Sequence, residues 1–439
     1  MKRKTLMQNN NTAIVIFKSC IKLIMALLLL HAGEFSAQTS APIDSLLHKY
    51  KFIRGDLSHL QNDSAALASF YKKLKALKNG NNAKVSIVHI GDSHIQADFF
   101  SGTVRKKLGM EFGSAGRGLI FPYRIAKTNG PPDYKTSSNK EWKAKRNVFP
   151  DQPMPIGISG ITIETEDTSA YINIAIKDTS GIDYSIKKIT LFHSKNPENF
   201  GWAIVTDSTM PPKCIFPSAK SNSPFTSEYF FDAPIKNFTL KCIAKDSTQT
   251  CDFIFGLLLE NGKPGIIYNM IGVNGAMYEH YIRSEYFVQQ MSLLQPDMII
   301  ISLGTNESYY KNFDSTAFYY SIDTLVTSIR KNNPAAAFLL TTPGDCLKKV
   351  RKGKKRFYAK NPSVLSARNT IITYCRKNDL AYWDWLEVMG GYGVMNEWYK
   401  NKMSDKLRLH LSTLGYLIQG ELLYKAMMES FNKYEGSKK

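Results

Sequence analysis

No Cys/His spacing in these 439 residues matches a zinc site, and no internal repeat or low-complexity tract is present. Metal-built modules, solenoids and low-complexity linkers are thereby excluded. Long apolar runs are also missing: the strongest, Leu23 to Leu30, is too short to cross a bilayer, and no second run of membrane length follows. Acid is scarce, with 37 Asp and Glu against 57 Lys and Arg, for a net charge of +20. Cysteine is scarce too. Beyond Cys20 there are Cys214, Cys242, Cys251, Cys346 and Cys375, an odd number that leaves at least one thiol unpaired. Cys242 and Cys251 flank "IAKDSTQT", which reads as a hairpin loop, and a local disulfide is expected there in an oxidising compartment.

What is present begins with a leader. Lys2, Arg3, Lys4, Lys18 and Lys22 flank the apolar "IMALLLL", and the small residues Ser36 and Ala37 follow, which is the pattern of a signal peptide over residues 1–37. An exported protein, periplasmic or at the cell surface, is expected. Removing the leader takes away five basic residues and Glu34 and lowers the charge from +20 to +16. A surface this basic attracts polyanions such as cell-wall polysaccharides, and export excludes nucleic acid as the partner. The alternative is a solubilising charge without a partner.

A 43% hydrophobic chain of this length builds a large core and more than one domain. Residues 38–83 read as a helical lead-in. Apolar strands follow at Val85–Ile90, Gly265–Met270, Met298–Leu303, Ala336–Thr341 and Leu380–Trp383, with helical stretches between the later ones. This alternation predicts an α/β fold with a doubly wound, flavodoxin-like parallel sheet of about five strands. It is split into residues 84–150 and 263–439. The gap between the first two strands is far longer than a crossover needs. Short alternating runs such as "AYINIAIKD" and "CDFIFGLLLE" predict an inserted antiparallel β-sandwich over 151–262. Before it, the Gly- and aromatic-rich "FGSAGRGLIFPYRIAKTNGPPDY" reads as a loop lining a site, with Gly116, Arg117 and Gly118 as substrate-binding residues. The basic run Leu347 to Lys360 reads as a solvated loop, with polysaccharide contact as the sharper alternative.

The stretch "VSIVHIGDSHIQADFF" ends a buried strand on Gly91, Asp92, Ser93 and His94. A serine at the carboxyl end of a parallel strand projects into the crevice where open α/β sheets bind ligands. His410, in "SDKLRLHLSTLGY", supplies the base that a serine nucleophile needs. Two loops at strand ends offer donors for an oxyanion: Gly275 through its backbone N–H and Asn306 through its side-chain amide.

These four blocks resemble the SGNH, or GDSL-like, hydrolases, in which Ser, Gly, Asn and His follow in that order. Within that family, "GDSHIQAD" and "AGRGLIFP" are similar to exported peptidoglycan O-acetylesterases and the related peptidoglycan O-acetyltransferase B. The resemblance implies Ser93 as nucleophile, His410 as base, and Gly275 and Asn306 as the oxyanion hole, without metal or organic cofactor. It departs at one point. The family's usual Asp three before the His is Leu407 here, which leaves Asp405, five before, as the candidate to orient the ring. Glu307 replaces an Asp often found after the block Asn, and Asp384 reads as structural. Three functions fit: an esterase acting on an O-acetylated polysaccharide, most of all peptidoglycan; an O-acetyltransferase needing a membrane-bound acetyl donor; or a catalytically silent glycan-binding protein.

Overall fold

The structure is a computed structural model that describes residues 43–149, 154–177, 181–206, 213–219, 223–310 and 312–437. The predicted leader lies outside the described residues. A helix at Ile43–Lys49 belongs to one compact unit, and the chain from Tyr50 onward forms another.

The larger unit is organised by a six-stranded sheet of β1 (Leu60–Gln61), β2 (Lys84–Gly91), β3 (Gly265–Gly272), β4 (Met298–Ser302), β5 (Ala337–Thr341) and β6 (Ala381–Trp383). Its spatial order is β1-β6-β5-β4-β2-β3. Strands β2 to β6 run parallel, and β1 pairs antiparallel with β6 at one edge. β2 is buried from Val85 to Gly91, as a strand covered on both faces must be. The parallel strands follow the flavodoxin-like order: the chain leaves β2 for a neighbour on one side and returns to pair on the other. The carboxyl end of β2 is therefore a topological switch point. The lead-in is helical only in part. It supplies β1 as well as helix α1 (Ala68–Lys78), whose Phe70, Tyr71, Leu74 and Leu77 are buried at helical spacing.

The helices that follow include α2 (Ser93–Gln96), α3 (Phe99–Phe112), α4 (Ser315–Asn332), α5 (Ser363–Lys377) and α6 (Thr413–Gly436). α6 packs on α3, so the last helix of the chain lies against the one that follows the Ser93 turn.

Between β2 and β3 the chain builds two antiparallel sheets. One orders Lys213–Ile215, Gly201–Thr206, Asn237–Ile243, Tyr171–Ile176 and Tyr134–Ser138. The other orders Thr226–Ile235, Ile186–His193, Asp252–Glu260, Ile161–Thr165 and Lys143–Arg146, with Gly118–Ile120 beside Asp252–Glu260. They touch where the Tyr229 hydroxyl donates to the Trp202 carbonyl at 2.9 Å and the Trp202 indole donates to Asp252. Antiparallel pairing thus begins before residue 151. The expected disulfide does not form: Cys242 lies in one sheet, Cys251 directly precedes a strand of the other, and both thiols are free. The basic run is likewise no loop but a two-stranded hairpin, Leu347–Lys352 paired with Lys355–Lys360.

Candidate active site

β2 ends at Gly91, and Asp92 caps α2 by accepting the His94 N–H at 2.9 Å. Ser93 therefore occupies the first helical position, where a backbone N–H has no intrahelical partner. The turn is pressed against the end of β3. A Cβ on Gly272 would stand 2.4 Å from the backbone nitrogen of Gln96, so no larger residue fits there.

The Ser93 hydroxyl lies 2.8 Å from His410 Nε2 and donates to it. On the far side of the ring, His410 Nδ1 lies 3.2 Å from Asp405 Oδ2, to which it donates. Asp405 reaches the ring because residues 405–410 close into a tight loop. Its N–H donates to the His410 carbonyl at 2.9 Å, and the Arg408 N–H donates back to the Asp405 carbonyl at 3.1 Å, with Arg408 at φ 55°. Burial raises the Asp405 carboxyl, but hydrogen bonds from the His410 ring and the Leu409 N–H outweigh it and hold the group below its ordinary value. Leu407, at the family's usual Asp position, is 52% exposed and touches no part of this relay.

The other two blocks are tied to the same turn. The Asn274 N–H donates to Gln96 Oε1 at 2.6 Å, which docks the loop carrying Gly275 on α2. Gly275 sits at φ 84°, a conformation open to glycine, and its N–H makes no hydrogen bond among the described residues. Asn306 bridges the blocks by donating to the Ala276 carbonyl at 2.9 Å and to Asp92 Oδ2 at 3.1 Å. Both N–H groups of that amide are engaged. Asn306 can serve an oxyanion only by giving up one of these two bonds.

Residues 248–418, which hold the Gly275, Asn306 and His410 blocks, match the GDSL-like Lipase/Acylhydrolase family. That stretch is similar to a GDSL-like lipase/acylhydrolase domain. Ser93 stands outside the matched stretch because the antiparallel sheets separate it in sequence from its partners.

Two groups beside Ser93 escaped the sequence reading as part of the site. Asp92 is only 1% exposed, and burial pushes its carboxyl up to about 7 against the opposing His94 N–H and His410. His94 places Nδ1 2.9 Å from the Tyr416 hydroxyl, and its ring centroid lies 5.1 Å from that of His410. Burial, assisted by His410, pushes His94 down to about 3, so an imidazole neutral near pH 7 backs the ring of His410. The signal was adjacency alone: both flank Ser93 in "GDSH". Glu307, noted only as a replacement, has its carboxyl shielded. Burial pushes it to about 8, with Oε1 accepting the Tyr278 N–H at 2.9 Å and Oε2 lacking a partner.

The structure corrects the substrate-binding assignment of Gly116, Arg117 and Gly118, all of which are buried. The Arg117 guanidinium is fully enclosed, 2.9 Å from Asp98 and 3.0 Å from Asp133, and Arg105 completes a four-charge cluster on the same two carboxylates. A buried guanidinium needs such partners, and at 0% exposure it presents no surface to a glycan. Asp384 is structural as expected, held by Arg368 in a bidentate pair. A second Ser–His–Asp row exists: Ser227 lies 2.9 Å from His193, which lies 3.1 Å from Asp252. All three are under a tenth exposed within the antiparallel sheets, so geometry alone does not make a site.

No curated protein matches the chain in sequence. Among solved structures, a peptidoglycan O-acetylesterase recorded in action aligns with this chain at a TM-score of 0.70 and 21% identity, over 85% of this chain and 99% of its own, which shows a shared fold. A family two carbohydrate esterase from Clostridium thermocellum aligns at 0.29 with 11% identity, over 67% of this chain and 98% of its own. A catalytic mutant of an acetylxylan esterase from Geobacillus stearothermophilus aligns at 0.28 with 14% identity, over 38% and 73%. The last two scores are too low to define a common architecture.

Proposed function

We propose that this protein is an exported serine esterase that removes O-acetyl groups from a polysaccharide, with peptidoglycan as the substrate. The observation that carries the reading is the hydrogen-bonded row Ser93, His410, Asp405 at the carboxyl end of β2. Ser93 Oγ attacks the acetyl carbonyl carbon while its proton passes to His410 Nε2, and the resulting imidazolium faces Asp405. The oxyanion of the tetrahedral intermediate is met by the N–H groups of Gly275 and Ser93 and by Asn306 as it leaves Asp92. His410 then returns the proton to the departing sugar hydroxyl, leaving acetyl-Ser93. Water, deprotonated by the same ring, releases acetate and restores the serine.

The glycan is supported by the fold shared with a peptidoglycan O-acetylesterase, a likeness of architecture and not of residues. Export is supported by the leader-like N-terminus. The two antiparallel sheets, packed as a sandwich, act in this reading as a cover beside the sheet edge. Acid quenching of the protein mixed with an aryl acetate, followed by peptide mass mapping, tests the covalent step. The expected result is an acetyl group on the Ser93 peptide, absent from Ser93→Ala. Acetate release with no acetylated peptide at any quench time would contradict it.

A further inference from the structure

The hairpin Leu347–Lys360 carries eight basic residues, and no Asp or Glu occurs from Cys346 to Asn378. None of its seven described basic side chains forms an ion pair. Register makes this more pointed. Arg351 stands directly opposite Arg356, and Lys349 and Lys360 lie on the same face, so like charges are opposed across the strands at a cost to the free hairpin. A structural hairpin has no use for that arrangement. An anionic partner removes the repulsion.

Its roots are in the site. The Leu347 N–H donates to the carbonyl of Arg408, two residues before His410. Lys348 Nζ donates to the Tyr310 carbonyl at 3.2 Å, four residues after Asn306. Asn361, just past the second strand, donates to the Ser308 carbonyl at 3.1 Å. The Arg408 guanidinium lies between the rings of Tyr358 and Tyr399, 4.6 Å from each centroid. Tyr310, Phe357 and Tyr399 are exposed, and they give the same rim flat apolar faces of the kind that pack against sugar rings.

We propose that this hairpin and its exposed aromatics form a docking rim for a polysaccharide that bears carboxylates, holding the chain while its acetyl groups reach Ser93. The inference rests on the esterase reading and deepens it by assigning charge to the substrate. Carboxylates spaced along a glycan match guanidinium and ammonium groups spaced along two strands, and the exposed setting makes the attraction dependent on salt.

The test is the triple variant Lys349→Gln, Arg351→Gln, Arg356→Gln, all exposed and none hydrogen-bonded or ion-paired to Ser93, His410 or Asp405. Against O-acetylated peptidoglycan at low salt, kcat/KM should fall about tenfold and its salt dependence should flatten, because steering charges are lost. Hydrolysis of an aryl acetate should be unchanged. Polymer turnover equal to wild type at every salt concentration would overturn the proposal. Affinity electrophoresis keeps this separate from the choice of peptidoglycan. Retardation by alginate, absent with a neutral glucan and lost in the triple variant, supports the rim even if peptidoglycan proves not to be a substrate. No retardation by alginate, or retardation by polyphosphate alone, rejects a carboxylate-bearing partner.

Discussion

Asp405 stands five positions before His410 and still accepts a hydrogen bond from its Nδ1 at 3.2 Å, because the Asp405 N–H to His410 carbonyl bond closes the intervening loop. The displaced carboxylate therefore occupies the orienting position. Asp405→Asn should lower kcat on an aryl acetate by up to about 10⁴ with little change in KM, since the tautomer presenting Nε2 to Ser93 is no longer favoured. Steady-state kinetics decide it, and a loss of less than about threefold would remove Asp405 from the relay.

His94 predicts a subtler effect. Its neutral ring backs His410 and is fixed by Tyr416, so it acts through His410 and touches no reacting atom. His94→Gln should lower kcat about tenfold, leave KM unchanged and shift the pH–rate profile. A loss of folded protein with a normal profile in the folded fraction would mark His94 as structural only.

Glu307 and Asp92 make stability depend on pH. Both are carboxyls raised by burial, to about 8 and about 7. The folded state then holds protons that the unfolded chain releases, so their stabilisation is complete below about pH 4 and is lost as the pH rises through the raised values. Each costs roughly 1.4 kcal/mol per pH unit across that window. Tm should fall between pH 5 and 8.5. Glu307→Gln keeps an acceptor for the Tyr278 N–H and removes the buried charge, so it should raise Tm at pH 8.5 and flatten the dependence. Calorimetry giving identical slopes for both proteins would refute this.

Arg117 should matter to folding and not to substrate. Arg117→Met strands Asp98 and Asp133 beside a single remaining guanidinium and should destabilise by about 3–5 kcal/mol, the range for breaking a buried ion pair. KM of the folded fraction should be unchanged. A raised KM at normal stability would restore the substrate-binding assignment.

Much of this was legible in the chain, for identifiable reasons. The five parallel strands are continuous apolar runs because both faces are covered, and β2 announces its end with Gly91. The blocks around Ser93, Gly275, Asn306 and His410 were readable because each follows a strand or precedes a helix. Tyr134–Ser138 and Lys143–Arg146 were not, since "YKTSS" and "KAKR" are short and polar, and their pairing is visible only once Tyr171–Ile176 and Ile161–Thr165 lie beside them. Arg117 read as a substrate-binding residue in a glycine-rich loop, because nothing in the sequence shows that Asp98 and Asp133, 19 and 16 positions away, fold back to bury it. The aspartate offset was readable, but not the backbone bond that corrects it.

The most direct measurement is acetate release from O-acetylated peptidoglycan by the protein from Gln38 onward, beside Ser93→Ala and Asp405→Ala. The account predicts steady release by the parent, none by Ser93→Ala, and a rate reduced by orders of magnitude in Asp405→Ala. Release that persists in Ser93→Ala, or no release by the parent from either the glycan or an aryl acetate, would contradict it.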